Sequence, residues 1–156
     1  MGGCCSIRII VDTREKKYAH VAAYFQEKGV EVIHEKLDVG DYMTGHDSKI
    51  SVDRKQNLAE ICSNLSHSRR RFEAECQRAK EAGIKLVILV EHSSRIKRLE
   101  DVAGWKNPRL KESPYALSGL RLSYLMLQLA MKYGIEWQFC DKRSTGKKII
   151  EILSRG

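Results

Sequence analysis

The most apolar run of the chain is Ile84-Lys85-Leu86-Val87-Ile88-Leu89-Val90. Nearly continuous runs of Val, Ile and Leu are typical of strands that are buried on both faces. The run therefore predicts a central strand of a sheet that is covered by packed layers on both sides.

Segments with strand or helix patterns surround this run. Short β-branched or alternating segments predict further strands over residues 7–11, 30–37, 42–43, 50–55 and 135–140, with 42–43 and 50–55 forming a hairpin. Apolar residues at helical spacing predict helices over 16–28, 58–65, 69–82, 99–105, 115–133 and 145–153. This alternation indicates an α/β fold, namely a three-layer domain with a central mixed β-sheet flanked by helices.

Composition fits one folded domain over residues 1–156, of which 42% are hydrophobic and only two are Pro. No stretch approaches the roughly 18 apolar residues of a membrane span, so we expect no membrane partner. The five Cys residues lack the C-x-x-C spacing of zinc sites and fit a reducing, cytoplasmic setting. We expect residues 1–6 to form a flexible N-terminus without a signal peptide.

The charge balance is basic. Lys and Arg number 28 against 20 Asp and Glu, which gives a formal net charge of +8. This excess favours a polyanionic partner such as nucleic acid. A basic surface that is merely solvated has the same composition, so charge alone leaves these two interpretations about equal.

Acidic residues gather at the predicted strands. Two follow the first strand, one precedes the hairpin and one lies inside it: Asp12, Glu15, Asp41 and Asp53. Because side chains alternate along a strand, Asp53 and Lys55 project from one face and Arg54 projects from the other. If Asp41 approaches across the hairpin, two carboxylates and one lysine meet at a single point.

Such a group of side chains suits phosphate chemistry. Asp41 and Asp53 are suitable ligands for Mg²⁺, and Lys55 could orient a water or stabilise charge on a phosphate. Arg14 and Arg54 carry planar guanidinium groups that can bind a phosphate bidentately. By itself, however, an Asp-x-Lys spacing more often marks an ordinary surface ion pair.

Three motifs in order resemble a known nuclease family. They are Ile10-Val11-Asp12-Thr13-Arg14-Glu15, Val39-Gly40-Asp41-Tyr42 and Val52-Asp53-Arg54-Lys55. They resemble the V-D-x-R-E, G-D-Y and V-E-R-K series of XPF-type structure-specific endonucleases, which belong to the PD-(D/E)xK nuclease superfamily. The resemblance spans residues 7–90 and is weaker over residues 91–156.

The resemblance implies a restriction-endonuclease-like fold and hydrolysis of DNA phosphodiester bonds with Mg²⁺, for which Mn²⁺ would substitute. It implies a catalytic set that comprises Asp12, Glu15, Asp41, Asp53, Arg54 and Lys55. Within this set, the implied metal ligands are Asp12, Asp41 and Asp53. Lys55 would be the catalytic lysine, and Arg14 would contact the substrate.

The chain departs from the family pattern in places. Asp53 stands where the family has glutamate, one methylene longer. Ala59 stands where the family has an acidic residue four positions after the lysine, and a helix rotates the next residue, Glu60, by about 100°. Glu60 is therefore left out of the predicted ligands. The tandem helix-hairpin-helix module that family members commonly carry is not found, so DNA contacts must come from this domain, a second copy or another subunit.

Basic and aromatic residues supply candidate DNA contacts. Four of them lie where a turn leads into a helix, a position that suits a phosphate: His67, Arg69, Arg70 and Arg71. A second basic stretch over 95–111 is a candidate strand-guiding loop. Three aromatic residues could stack on bases, although isolated aromatics usually anchor a core: Trp105, Tyr115 and Trp137.

These observations together predict a Mg²⁺-dependent endonuclease that acts on branched or flapped DNA in repair or recombination. By the family likeness, the late helices predict a homodimer interface. The alternative is a non-catalytic DNA-binding subunit of a nuclease complex, and a small-nucleotide phosphohydrolase is a remote third. We expect a cytoplasmic location in a bacterial, phage or archaeal setting, and a nuclear one in a eukaryote.

Overall fold

The computed structural model describes residues 7–156, and the predicted flexible segment 1–6 lies outside the described residues. Residues 7–156 contain six strands, which are β1 (Arg8–Val11), β2 (Glu31–His34), β3 (Tyr42–Met43), β4 (Ile50–Lys55), β5 (Lys85–Glu91) and β6 (Glu136–Cys140). The same range contains six α-helices, which are α1 (Ala19–Glu27), α2 (Leu58–Ser66), α3 (Arg69–Glu81), α4 (Leu99–Val102), α5 (Gly119–Tyr133) and α6 (Thr145–Leu153). No helix in this described range is long and apolar enough to cross a membrane.

The strands form one mixed sheet in the order β2-β1-β3-β4-β5-β6. Strands β1 and β2 are parallel, and so are β4, β5 and β6. The short β3 is antiparallel to both β1 and β4 and joins the two parallel halves.

Strand β5 is the buried centre of the sheet, as its apolar run predicts. Leu86, Ile88 and Val90 pack on one face against α2, α3 and α5, whereas Val87 and Leu89 pack on the other against α1 and α6. All five side chains are at most 1% exposed. The predicted three-layer α/β architecture is confirmed.

Several predicted elements are shorter in the structure, and α4 ends at residue 102 rather than 105. Helix α1 begins at residue 19 rather than 16, because Lys17 has a left-handed φ of 55° and the Lys16 carbonyl accepts a hydrogen bond from Arg54. Helix α5 begins at residue 119 rather than 115, because the Ser118 side chain caps it. Strand β2 ends at residue 34, because the Leu37 amide donates to a side chain instead of continuing the sheet.

Strand β3 brings distant segments together at one end of the sheet. The Asp12 amide donates to the Asp41 carbonyl at 2.8 Å, and the Asp41 amide donates to the Val52 carbonyl at 2.7 Å. The chain that follows β1, the chain that precedes β3 and the end of β4 therefore lie side by side. This topology places the predicted acidic motifs next to one another.

Candidate functional site

Strand β4 sends alternate side chains to opposite faces of the sheet, as predicted. On one side, which we call the front face, Lys55 Nζ lies 3.0 Å from Asp53 Oδ2. On the other side, the rear face, Arg54 forms ion pairs with Glu15 and Glu91. The predicted catalytic residues are therefore divided between two sides of the sheet.

A cleft of about 230 Å³ opens on the front face, and we call it the front cleft. Its charged lining residues come from the segments around β1, β3 and β4 and from α3: Asp12, Arg14, Asp41, Lys55, Arg71, Glu75 and Arg78. Asp53 lies beside Lys55 and is only 5% exposed. The structure thus brings Asp41, Asp53 and Lys55 together.

Asp41 is held at the cleft by the backbone of β4, since its Oδ2 accepts a hydrogen bond from the Arg54 amide at 2.9 Å. Burial raises the pKa of the Asp41 carboxyl well above its usual value, and the negative charges of Asp53 and Glu15 raise it further. This part of the front cleft therefore disfavours additional negative charge and favours a cation.

Lys55 supplies a positive charge next to the carboxylates of the front cleft. Burial alone would lower the pKa of its ammonium, but the negative charges of Asp53 and Glu60 outweigh burial and raise the pKa above its usual value. The ammonium also lies 5.7 Å from the centre of the Phe72 ring. Lys55 is consequently a fixed positive charge at neutral pH.

The carboxylates of the front cleft fit a hard divalent cation. Asp53 Oδ2 is buried, and the Lys55 ammonium lies 3.0 Å from it as an ion-pair partner. Within residues 7–156, no group of three or more His, Cys, Asp or Glu side chains forms a ready metal cage. Mg²⁺ needs no such cage, because one or two carboxylates, waters and substrate phosphates usually complete its coordination. Asp41 and Asp53 suffice for that mode of binding.

Asp12 occupies the rim of the cleft but is already fully hydrogen-bonded. Its Oδ1 accepts from the Leu37 amide at 2.8 Å, and both of its oxygens accept from the Arg14 guanidinium. Burial alone would raise the pKa of Asp12, but the hydrogen bonds from Arg14 and from the Leu37 amide lower it below its usual value. In this arrangement Asp12 and Arg14 brace the loop after β1, and the metal-ligand role of Asp12 stays a prediction.

Arg54 and Glu15, both predicted as catalytic, belong to a buried group on the rear face. Arg54 donates to both oxygens of Glu15, at 2.9 and 3.2 Å, and also to Glu91. Glu91 accepts further hydrogen bonds from Thr145 and contacts His20. We call Glu15, Arg54 and Glu91 the rear ion cluster. Its side chains are at most 7% exposed. Arg54 and Glu91 also line a separate opening of about 210 Å³ on this side. The catalytic roles of Glu15 and Arg54 stay predictions.

The sequence reasoning missed two residues of the front cleft. Glu75 on α3 accepts a hydrogen bond from the Gly40 amide at 3.1 Å, and burial followed by the charge of Asp53 raises the pKa of its carboxyl. The buried Oδ1 of Asn64 on α2 has no hydrogen-bond partner. A pattern could have revealed Glu75, because Arg71, Glu75 and Arg78 recur at helical spacing beside the apolar stripe of the same helix.

The predicted DNA-binding residues separate in space. Arg71 lines the front cleft, whereas Arg69 is engaged by Glu73 at 2.7 Å and Arg70 is exposed. His67 lies at a second pocket on the other side of α2. Glu60, the doubtful family position, accepts from the Gln56 amide and reaches Lys55 only at 3.9 Å.

The raised pKa of Asp41 predicts a pH-dependent stability. In metal-free protein, the folded state keeps a proton on Asp41 over a pH range in which the unfolded chain has lost it. The contribution of Asp41 to the free energy of unfolding therefore falls as the pH rises from about 4, the ordinary Asp range, through the raised pKa. We expect Asp41→Asn to be more stable than the wild type at neutral pH and the difference to shrink toward acid pH.

Urea denaturation in EDTA, repeated across this pH range, measures the effect. Asp47→Asn is the control, because Asp47 is exposed in the loop between β3 and β4. Parallel curves for the wild type and Asp41→Asn would contradict the assignment.

Comparisons with known proteins give the family and the fold of the chain. The family model of the ERCC4 domain matches residues 11–153. The chain is similar in structure to XPF from Aeropyrum pernix, with a TM-score of 0.69 and 24% identity over 95% of this chain and 64% of that one. For XPF from Aeropyrum pernix in complex with DNA, the TM-score is 0.66 and the identity 25%, over 95% of this chain and 64% of that one.

The likeness confirms the predicted restriction-endonuclease-like fold, and this chain spans 64% of the length of these structures. A comparison with curated proteins found no significant match.

Proposed function

The chain belongs to the ERCC4 domain family, and we propose that it is a metal-dependent, structure-specific DNA endonuclease whose active site is the front cleft. One observation carries the proposal. Asp41 and Asp53 lie next to each other with Lys55 3.0 Å from Asp53, and this arrangement lies in a cleft with arginines on its walls. Two carboxylates beside one lysine suit a cation that arrives with a phosphate.

Asp41 and Asp53 are the residues that would hold Mg²⁺, or Mn²⁺ in its place. A bound cation of this kind supplies Lewis-acid stabilisation of the negative charge that develops on the phosphate. Asp41 is fixed for this role by the Arg54 amide, and Asp53 by the alternation of β4. Neither carboxylate depends on a mobile loop for its position.

Lys55 would act through its charge. Because its pKa is raised, the ammonium stays protonated at neutral pH and does not serve as a general base. It can donate a hydrogen bond to the attacking water or to a phosphate oxygen, and it stabilises charge on the pentavalent phosphorus. A fixed donor at this place needs little reorganisation during the reaction.

Arginines around the cleft would hold the DNA backbone. Arg71 and Arg78 reach the cleft from α3. Arg14 adds positive charge at the rim, where its side chain is 64% exposed, although its Nε and Nη2 already donate to Asp12. Guanidinium groups bind phosphate bidentately and position a strand without reading its sequence. This mode of contact fits an enzyme that selects DNA by its structure, and we extend the proposal to branched DNA in repair or recombination.

Removing either central residue should abolish cleavage. We expect Asp53→Ala and Lys55→Ala each to lower the rate of Mg²⁺-dependent cleavage by at least about 100-fold, the scale for losing one preorganised electrostatic contact. The measurement uses end-labelled flap, fork and linear duplex DNA with Mg²⁺ or EDTA, and circular dichroism confirms that the variants fold.

The hairpin offers a matched control. Asp47 and Lys49 repeat the Asp-x-Lys spacing in an exposed position, so Asp47→Ala and Lys49→Ala should cleave normally. Normal cleavage by Asp53→Ala would refute the site. Tight binding of every DNA structure without any metal-dependent cut would favour the alternative, a non-catalytic DNA-binding subunit.

We also propose that α5 forms a homodimer interface. Its inner side is buried, but its outer side carries an exposed apolar stripe, and the exposed fractions are 68% for Leu120, 53% for Tyr124, 47% for Leu127 and 79% for Met131. These residues recur at helical spacing. A groove of about 710 Å³ runs along Leu120, Tyr124 and Leu127 toward Leu99. A second copy of the chain could bury this stripe against itself about a two-fold axis.

Charge on the stripe should separate such a dimer. We expect Leu127→Glu and Met131→Glu to shift the protein from dimer to monomer, because an unpaired carboxylate is costly to bury. Size-exclusion chromatography with light scattering measures the mass over a concentration series. Leu110→Glu is the control, since Leu110 is 40% exposed but lies outside the stripe. A wild type that is monomeric at every concentration would contradict the interface.

A further inference from the structure

A second pocket lies across the end of α2 from the front cleft, and we call it the side pocket. Asn64 and Ser68 face the front cleft, whereas Ser63, Ser66 and His67 line the side pocket. The last turn of α2 is thus the wall between the two. Since a helix with its side chains is about 10–12 Å across, a few nucleotides of one strand would span the distance.

The outer wall of the side pocket is built and braced. It comes from the connection between α4 and α5 and includes Arg109, Tyr115 and Leu117. Asn107, only 5% exposed, holds this wall in place. Its Nδ2 donates to the Leu117 carbonyl at 2.8 Å, and its Oδ1 accepts from the Arg109 amide at 3.0 Å.

Tyr115 differs from the other aromatic candidates for base stacking. Trp137 stacks on Phe72 and donates to the Met126 carbonyl at 2.9 Å, and Trp105 packs edge-on against His92. Those two residues anchor the interior. Tyr115 is 93% exposed at the rim of the side pocket, so its ring is free to stack.

The size and chemistry of the side pocket restrict its ligand. Its volume is about 270 Å³, below the roughly 300–1,000 Å³ of pockets for drug-sized ligands. A planar ring system fits such a space with one face on Tyr115. Arg109 and His67 at the rim are the groups that would contact a phosphate next to that ring.

We propose that the side pocket binds one unpaired nucleobase of the substrate strand, with the base stacked on Tyr115. The inference rests on the proposed nuclease function and adds one contact to it, which is the binding of an unpaired base near the cleavage point. A paired base would have to leave the duplex stack to enter, which costs free energy that an unpaired base does not spend. Stacking is tolerant of sequence, so the pocket selects DNA by its structure.

Fluorescence of a base analogue tests the proposal without any cleavage. A single-stranded oligonucleotide that carries 2-aminopurine is titrated with the wild-type protein in EDTA, and stacking on Tyr115 quenches the signal. We expect Tyr115→Ala to weaken binding by roughly 5- to 100-fold and to abolish the quenching, as loss of one stacking contact does. Tyr115→Phe keeps the ring and should bind as the wild type does.

Further controls distinguish binding in the side pocket from nonspecific effects of mutation and from the nuclease activity. Leu110→Ala removes an exposed apolar side chain from the same connection but outside the pocket, and should leave binding and quenching unchanged. The same oligonucleotide in a duplex should show no dependence on Tyr115. Unchanged binding by Tyr115→Ala, equal loss in Tyr115→Phe, or an equal effect of Tyr115→Ala on duplex would overturn the proposal. Because this assay is run in EDTA and measures binding alone, its outcome does not depend on cleavage, and the separate cleavage assay tests the catalytic assignment.

Discussion

The ion pairs of Arg54 are the interaction on which the site depends. Arg54 is 2% exposed in its side chain and lies between Glu15 and Glu91 on the rear face. Removing one partner of a buried pair costs about 3–5 kcal/mol, because the remaining charge stays buried. Since neighbouring side chains of a strand point to opposite faces, fixing Arg54 at the rear also fixes Asp53 and Lys55 at the front. The buried ion pairs of Arg54 and the proposed catalytic pair Asp53 and Lys55 thus lie on opposite faces of the same strand.

The front cleft brings together carboxylates that repel one another, and the buried ion pairs of Arg54 help to hold them in place. The pKa of Asp41 is raised by burial and by nearby carboxylates, and Asp53 is buried next to it with Lys55 as its ion-pair partner. Gly40 makes the close approach possible, since its φ is +73° and a side chain there would lie 2.1 Å from the Ser51 hydroxyl. Glu75 then holds the Gly40 amide from α3. The repulsion between these buried carboxylates destabilises the fold locally. It does so at the place where a bound cation and a phosphate would offset it.

The sequence predicts the parts of the site that depend on local pattern. Strand alternation correctly separates Arg54 from Asp53 and Lys55, and the apolar run before residue 90 correctly predicts the sheet centre. The hydrogen bond from the Leu37 amide to Asp12, and that from the Gly40 amide to Glu75, join residues 25 or more positions apart. No periodicity encodes such contacts. Helix α5 begins later than predicted because Ser118 caps it. The apolar residues before Ser118 fit the helical spacing and so extend the predicted helix too far.

Direct observation of metal binding tests the central claim that the front cleft, and not the rear ion cluster, is the cation site. Mn²⁺ broadens the nuclear magnetic resonance signals of nearby atoms, so it is titrated into isotope-labelled protein while the backbone amide signals are recorded. We expect the first signals lost to be those of Asp41 and of residues 53–55, with Asp53→Asn abolishing the effect. Broadening that begins at Thr145 beside the rear ion cluster, or that persists unchanged in Asp53→Asn, would contradict it.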